Sequence, residues 1–322
     1  MQSSFNALKS WTRLRISILV QYLQHAQAWL RDKLNPPSYW DKRARVGVMT
    51  CTLNEATCIG FTVGSLLDHV DLYVVIDTGS TDNTTQLLRA LYPEALTEGK
   101  LILVELGPLP DFDISIARNK ALEILQEHNI DLAIKVDGDD VFYDEGAAYL
   151  VNRVRKWSPE FASFYCGNYE LYQWKAEERD AWFEALESQT GLFWAMGFRP
   201  LHPRVYPVKG SVARGRWTDE AQGQSPENLY SQQAGPLRRG TLKVCAAHYG
   251  WAKPVNEKIR KVEIWNPGKD LDPRVKTMHE RFDSRWPLSQ FEKHPEIVAR
   301  KLPVVRAFFA RLENVDSIPT IE

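Results

Sequence analysis

Between Arg45 and Trp157 the chain alternates short apolar runs with polar, turn-rich and amphipathic stretches. "RVGVMTCTL", "DLYVVIDTG", "KLILVELG" and "DLAIKVDGD" are β-rich runs that end in polar or glycine residues, the pattern of buried strands. Between them, "TDNTTQLLRALY" and "DISIARNKALEILQEH" read as helices. Strand and helix in this alternation make βαβ units, hence an α/β fold with a parallel or mostly parallel central sheet flanked by helices. In such sheets ligands bind outside the carboxyl ends of the strands. Asn54 and Glu55, Asp77, and Asp137 to Asp140 follow three of these runs, so residues far apart in sequence are expected to converge on one crevice.

The flanks differ from this centre. Residues 1–34 form an amphipathic helical pattern, with Phe5, Leu8, Trp11, Leu14, Ile18, Tyr22, Ala26, Trp29 and Leu30 at three- and four-residue steps, stopped by Pro36 and Pro37. The basic side chains on it suit a membrane surface or a nucleic-acid backbone, and the apolar stripe equally suits packing on the main domain or a second subunit, so a homo-oligomer or peripheral membrane contact is open. After Trp157 come "FASFYCGNYELYQW", "RPLHPRVYPV", "GRWTDEAQGQ" and "LKVCAAHYGW", strands separated by long loops. From residue 256 onward there are helical stretches such as "VARKLPVVRAFFARLENV", read as broken at Pro303. The expected organisation is an arm over 1–40, an α/β domain over 41–255 divided near residue 157, and a helical C-terminal extension over 256–322.

Composition narrows the function. With 40 basic and 41 acidic side chains, a formal net charge of -1, the chain has no overall field to recruit nucleic acid or anionic lipid, and a charged ligand must be met locally. Cys51, Cys58, Cys166 and Cys245 lack CxxC spacing and read as reduced thiols, which favours the cytoplasm over a secreted disulfide scaffold or a zinc site. No apolar run approaches the roughly 18 residues of a membrane span, and no signal-peptide h-region is present, which also predicts a cytoplasmic protein. Eleven tryptophans are many for this length; most are expected in packing, with one or two available as platforms for a sugar ring.

The densest chemistry lies in "KVDGDD", where Asp137, Asp139 and Asp140 surround one glycine at a strand end. Carboxylates so close repel one another, and a hard divalent ion held by one or two carboxylates plus substrate phosphates would relieve them. The alternative is a solvated acidic turn. An EF-hand loop would need further ligands at alternate positions and a closing glutamate, which are missing.

Together, "VMTCTLNEA", "VVIDTGSTDNT", "ARNKAL" and "KVDGDD" resemble glycosyltransferase family 2, inverting enzymes of the GT-A fold that use nucleotide-sugar donors. The resemblance is close over residues 46–157, loose over 158–252, and does not reach residues 1–40 or those after 255. It implies that Thr52, Asn54 and Glu55 border the nucleoside, with Glu55 near the ribose, and that Asp77 meets the nucleobase. Arg118 would approach the diphosphate, Asp137 would sit near ribose and metal, and Asp139 would bind Mg²⁺ or Mn²⁺ directly. Carboxylates accept from hydroxyl and N–H groups, and a cation with an arginine suits a diphosphate. Asp77 also reads as a turn or helix cap, and Arg118 as a partner for Glu123.

Relatives place a His-Glu or equivalent acidic pair after an arginine-containing strand, and "HPRVYP" followed by "RWTDEA" resembles this with a departure at Thr218 and Asp219. The base that deprotonates the acceptor hydroxyl is then Asp219 or Glu220, with Glu220 preferred, and a helix start as the competing role for both. His248, at the end of "VCAAHYGW", reads as an additional metal ligand or donor-phosphate contact, or as a core histidine. The resemblance implies a metal-dependent inverting glycosyltransferase with a nucleotide-sugar donor, UDP-sugars first, and an acceptor that is a glycan, a lipid-linked saccharide, a protein or a modified nucleic-acid base. A nucleotidyltransferase acting on a sugar phosphate is the rival enzyme class, although "TCTLNEATCIG" lacks the glycines and lysine of its phosphate loop. A catalytically inactive sugar- or nucleotide-binding scaffold is the non-enzymatic rival.

Overall fold

A computed structural model describes residues 44–155, 161–172, 176, 178–188, 194–214, 229–231, 238–265, 289–291 and 293–316. The N-terminal arm, and Asp219 and Glu220, lie outside the described residues.

Strands β1 (Val46–Thr52), β2 (Leu72–Asp77), β3 (Leu101–Glu105) and β4 (Leu132–Lys135) are the four apolar runs. They pair in parallel in the order β3-β2-β1-β4. All six residues of β2 and all four of β4 are buried, as continuous apolar strands with covered faces must be. Side chains alternate between the faces: Val48, Tyr73, Val75 and Ile134 enter one core, Met49, Val74, Ile76 and Ala133 the other. The first core is closed by helices α1 (Ile59–Leu66), α2 (Thr84–Leu91), α3 (Pro93–Thr97), α5 (Asp144–Arg155), α6 (Arg179–Ser188) and α8 (Glu296–Asp316). The second is closed by α4 (Ile114–Glu127) through Ala117, Ala121, Leu122, Ile124 and Leu125. Asp113 starts α4 by accepting the Ser115 N–H at 3.0 Å.

Beyond β4 the sheet continues through β7 (Trp194–Pro207), β6 (Phe161–Tyr172), β10 (Arg238–Trp251) and β5 (Asp140–Phe142). β7 runs antiparallel to β4 and β6, β10 runs parallel to β6, and β5 runs antiparallel to β10. Six strands (β1, β2, β3, β4, β6 and β10) therefore point one way, and only β7 and β5 of this path oppose them. The mostly parallel α/β sheet expected from the sequence is present. β11 (Ser289–Gln290) pairs with β7, and β8 (Ser211–Ala213) and β9 (Leu229–Ser231) form a separate two-stranded ribbon.

One detail differs from the sequence expectation. Pro303 does not break the C-terminal helix: α8 runs through it from Glu296 to Asp316. Ile297, Val298, Leu302, Val305 and Phe309 are buried on the first core, and this apolar face holds the helix together across the missing N–H. Trp182, in keeping with the packing role expected of most tryptophans, is fully buried. Its ring packs edge-on against Tyr249, 6.3 Å between centroids, and its indole N–H donates to the Ala252 carbonyl. It thereby ties α6 to the turn that follows β10. Among the described helices, none is long and apolar enough to cross a membrane.

Trp182→Phe should keep most of the apolar contact while leaving the buried Ala252 carbonyl without its donor, at a cost of about 1–3 kcal/mol. Urea unfolding of the variant measures this; an unchanged midpoint would mean that the tie contributes nothing.

Candidate active site

The carboxyl ends of β1, β2, β4 and β10 meet at one edge of the sheet, and hydrogen bonds between loops fix what they present. After β1, Asn54 turns the chain with a φ of 55°. Its N–H donates to Ser80 Oγ at 2.8 Å, and its Oδ1 accepts the Thr81 N–H at 2.8 Å. The Glu55 and Ala56 N–H groups donate to Thr84 Oγ1 at 2.9 Å and Asp82 Oδ2 at 3.0 Å. Asp77 uses Oδ2 to accept the N–H groups of Gly79 (3.1 Å) and Ser80 (2.9 Å), so it closes its own turn. Asp77 Oδ1 and Thr52 Oγ1, both buried, have no protein partner. Buried polar atoms are rarely left so, and these two are the acceptors that a ligand would satisfy.

The turn after β4 divides the work of its three aspartates. Asp140 is anchored in the turn: its carboxylate accepts the Asp137 N–H at 3.0 Å, pairs with Arg204 at 2.5 Å, and lies 2.9 Å from His248 Nδ1. The Gly138 carbonyl accepts from Thr62 Oγ1 at 2.9 Å and the Asp139 carbonyl from the Tyr249 N–H at 2.8 Å, pinning the turn to α1 and to β10. Residue 138 has to be glycine, because a Cβ there would stand 2.9 Å from Glu55 Cγ and 3.2 Å from Thr52 Oγ1. This close approach brings Glu55 beside Asp139.

Two lysines answer that pair of buried acids. Lys253, just after β10, bonds Glu55 Oε2 and lies 3.1 Å from Asp139 Oδ2. Lys261, on α7 (Val255–Trp265), lies 3.1 Å from Glu55 Oε1 and 2.8 Å from Asp139 Oδ2. Burial pushes the Asp139 carboxyl up, but Lys253, Lys261 and His248 together hold it well below the usual carboxylate range. Burial lifts Glu55 above its ordinary value against the same two ammonium groups. Asp137 is opposed by burial in the same way, and Lys135, Arg204 and Arg118 keep it well below the carboxylate range.

These groups open on a cleft of about 720 Å³. Of the residues singled out in the sequence, Thr52, Asn54, Glu55, Arg118, Asp137, Asp139 and His248 line it, and Asp77 is buried at the end of β2 beside it. Arg118 is not the partner of Glu123, which pairs with Lys120 at 2.8 Å, and instead adds charge to the cleft. Gly250 leaves room for the His248 ring, against which a Cβ at 250 would collide. One face of α7, with Glu257, Lys258, Lys261 and Ile264, forms the wall beyond β10. Sequence reasoning missed Lys253, Lys258, Lys261 and Arg204. The signal for the three lysines was their spacing in "AKPVNEKIRK" directly after the "HYGW" strand end, which becomes informative once that strand is placed beside the acidic turn.

Asp139, Asp140 and His248 each offer an atom within 4.8 Å of the others. The lysines take Asp139 Oδ2 and Arg204 takes Asp140 Oδ2, so Asp139 Oδ1, Asp140 Oδ1 and His248 Nδ1 face one another, with His248 Nδ1 3.5 Å from Asp139 Oδ1. Carboxylate and imidazole donors of this kind fit Mn²⁺ or Mg²⁺.

The profile of Glycosyl transferase family 2 matches residues 47–213, just over half of the chain. The chain belongs to glycosyl transferase family 2. It is a glycosyltransferase by that membership, and the matched span runs from within β1 to the end of β8 and includes the Asp137–Asp140 turn. No curated protein matches it closely enough to count as a relative. Among solved structures it is similar to the mannosyltransferase PcManGT from Pyrobaculum calidifontis in complex with GDP-Man and Mn²⁺, at 17% identity over 97% of this chain and 88% of that one, with a TM-score of 0.39. It is also similar to glucosyl-3-phosphoglycerate synthase from Mycobacterium tuberculosis in complex with Mn²⁺, UDP and glucosyl-3-phosphoglycerate, at 16% identity over 64% and 72%, with a TM-score of 0.32. Likenesses this distant carry no weight for what the present chain binds.

Lys258 supplies a test of the cationic wall. Buried, with Nζ 3.3 Å from the Trp251 carbonyl, its ammonium is pushed down from 10.5 to about 7 by burial. A lysine whose folded pKa is depressed binds fewer protons in the native than in the unfolded chain between those two values, so stability rises with pH from about 7 to about 10.5. Lys258→Met should therefore stabilise the protein at pH 6 by a few kcal/mol at most, about 1.4 kcal/mol for each pKa unit removed, and the gain should shrink towards pH 10. Thermal unfolding of both proteins from pH 6 to pH 10 measures it; a gain that grows with pH would contradict the assignment.

Proposed function

We propose that the chain transfers a sugar, with inversion, from a nucleotide-sugar donor to an acceptor hydroxyl, and that it uses a divalent cation, Mn²⁺ or Mg²⁺. The observation that carries this reading is the pair of unsatisfied buried acceptors, Thr52 Oγ1 and Asp77 Oδ1, at the same sheet edge as the ionised Asp137 and Asp139. Ribose hydroxyls and base N–H groups are the donors such atoms accept from. Asp77, its second oxygen fixed by the Gly79–Ser80 turn, presents Oδ1 in a set orientation without further ordering. Asn54 shapes that pocket by bonding its two loops together.

The diphosphate follows from charge. Arg118, Lys258 and Lys261 line the cleft beside the aspartate turn, where they balance phosphate oxygens and hold them in one place. Asp139, Asp140 and His248 would hold the cation, which when bound polarises the phosphate oxygens and favours departure of the nucleoside diphosphate. The acceptor hydroxyl, a weak nucleophile, needs a base, and Asp219 or Glu220 supplies it in this reading, with Glu220 preferred for its place in the acidic pair and its longer reach. A UDP-sugar is the first donor to try, and the acceptor classes named above remain those to screen.

Asp139→Asn should lower nucleotide-sugar affinity in the presence of Mn²⁺ by at least tenfold, whereas Asp77→Ala should weaken nucleoside binding and spare Mn²⁺ binding. Calorimetry distinguishes the two, and unchanged affinity in both variants would remove the site. Glu220→Gln should leave donor binding intact and slow transfer by about two to four orders of magnitude. If Asp219→Asn shows the larger loss, the base is Asp219; near-wild-type turnover in both variants would return "WTDEA" to a helix start.

A further inference from the structure

The acids Glu55 and Asp139 and the ammonium groups of Lys253 and Lys261 close a four-membered ring in which each lysine touches both carboxylates. The two lysines are not equivalent. Lys253 has 1% of its side chain exposed, follows β10 directly, and is enclosed by the protein. Lys261 has 22% of its side chain exposed, projects from α7, and lines the cleft together with Lys258 one turn earlier. Lys253 is thus a fixed part of the fold, while Lys261 approaches the same carboxylates from the ligand's side on four rotatable bonds.

A divalent cation entering this site meets Asp139 already neutralised, and meets the positive charge that neutralises it. An incoming diphosphate meets the same ammonium as an attraction. Both effects act on one side chain, and they have opposite signs.

We propose that Lys261 is an exchangeable counter-ion of the donor site: in the empty site its ammonium holds Asp139 and Glu55, and when cation and nucleoside diphosphate enter it passes from the carboxylates to the diphosphate. Each charge keeps a partner in the exchange, since the cation takes the place of the ammonium on Asp139 and the ammonium joins Arg118 and Lys258 around the phosphates. The site therefore disfavours the cation alone and accepts it together with the diphosphate. Lys261 is on this account a positioning residue, and Lys253, enclosed behind it, keeps Glu55 in place throughout. The inference rests on the proposed donor site at Asp139.

The test uses the full chain, with Lys261→Met and Lys261→Arg beside the wild type. Mn²⁺ binding without nucleotide is followed by the electron paramagnetic resonance of the free ion. Calorimetry at saturating Mn²⁺ then gives the affinity of the tightest binder among UDP, GDP, CDP and ADP. Lys261→Met should bind Mn²⁺ at least fivefold tighter than wild type and the nucleoside diphosphate at least tenfold weaker, while Lys261→Arg stays near wild type in both. A structural role alone would move both affinities the same way. Unchanged or weaker Mn²⁺ binding in Lys261→Met, or undiminished nucleotide affinity, overturns the exchange and leaves the donor site standing. If no protein binds Mn²⁺ or any nucleotide, the donor site itself falls and the exchange with it. Wild-type protein provides a second reading that needs no variant: acetylation of Lys261, followed by mass spectrometry, should quicken with Mn²⁺ alone and slow again when the nucleotide is added. A rate unaffected by both additions overturns the proposal.

Discussion

The site depends on the cost of burying like charges close together. Glu55, Asp137, Asp139 and Asp140 gather at one sheet edge because β1 and β4 are parallel neighbours whose carboxyl ends coincide. Unpaired, ionised carboxylates in such a place would be disfavoured by desolvation and by one another, and the fold could not keep them charged. The chain supplies its own cations for each: Arg204 for Asp140, Lys253 and Lys261 for Glu55 and Asp139, Lys135 and Arg118 near Asp137. This pairing lets Asp137 and Asp139 remain ionised, the state in which a carboxylate can accept from a ribose or bind a metal.

Pairing across such distances also decides the architecture. Lys261 is 206 residues from Glu55 and 122 from Asp139, so the acidic turn joins the first strand of the sheet to a helix that follows its last long strand. α7 is in turn tied to α6 through the Glu257 carboxylate, which accepts from Arg179 at 3.3 Å and also from Thr57. Arg179 lies 4.0 Å over the Phe309 ring of α8. Charge at the cleft and apolar packing behind it thus belong to one connected set of contacts, and a helix outside the span matched by the family profile forms a wall of the cleft.

The same distances explain what the sequence could reveal. β1 to β4 were legible because each is a local run, apolar along its length and punctuated by glycine or aspartate, and parallel pairing then fixed where Asn54, Asp77 and Asp139 would end up. The burial of Arg118 in the cleft was legible only as a choice, since a helical arginine five residues from a glutamate reads equally as a surface pair. Lys253 and Lys261 carry no such local mark. A lysine in an amphipathic helix reads as a solvated charge until its partner is known, and here the partners are far away in sequence. Pro303 was misread for a related reason: local propensity forbids it in a helix, but the buried face of α8 on the first core outweighs that local cost.

Asp137, Asp139 and Asp140 finally show how little residue type says about role. All three are aspartates in one turn, and their duties are set by what each oxygen meets. Asp140 has Oδ2 engaged by an arginine and a backbone N–H, so its charge maintains the turn, and Oδ1 is left towards His248. Asp139 has both lysines on Oδ2, which leaves Oδ1 towards His248. Asp137 lines the cleft among cations. Gly138 makes the division possible, because only a residue without a Cβ lets the turn approach Glu55 and Thr52 closely enough for Lys253 and Lys261 to span both acids. The ring of charges and the turn that carries it are therefore one constraint, and a side chain at 138 would disturb both together.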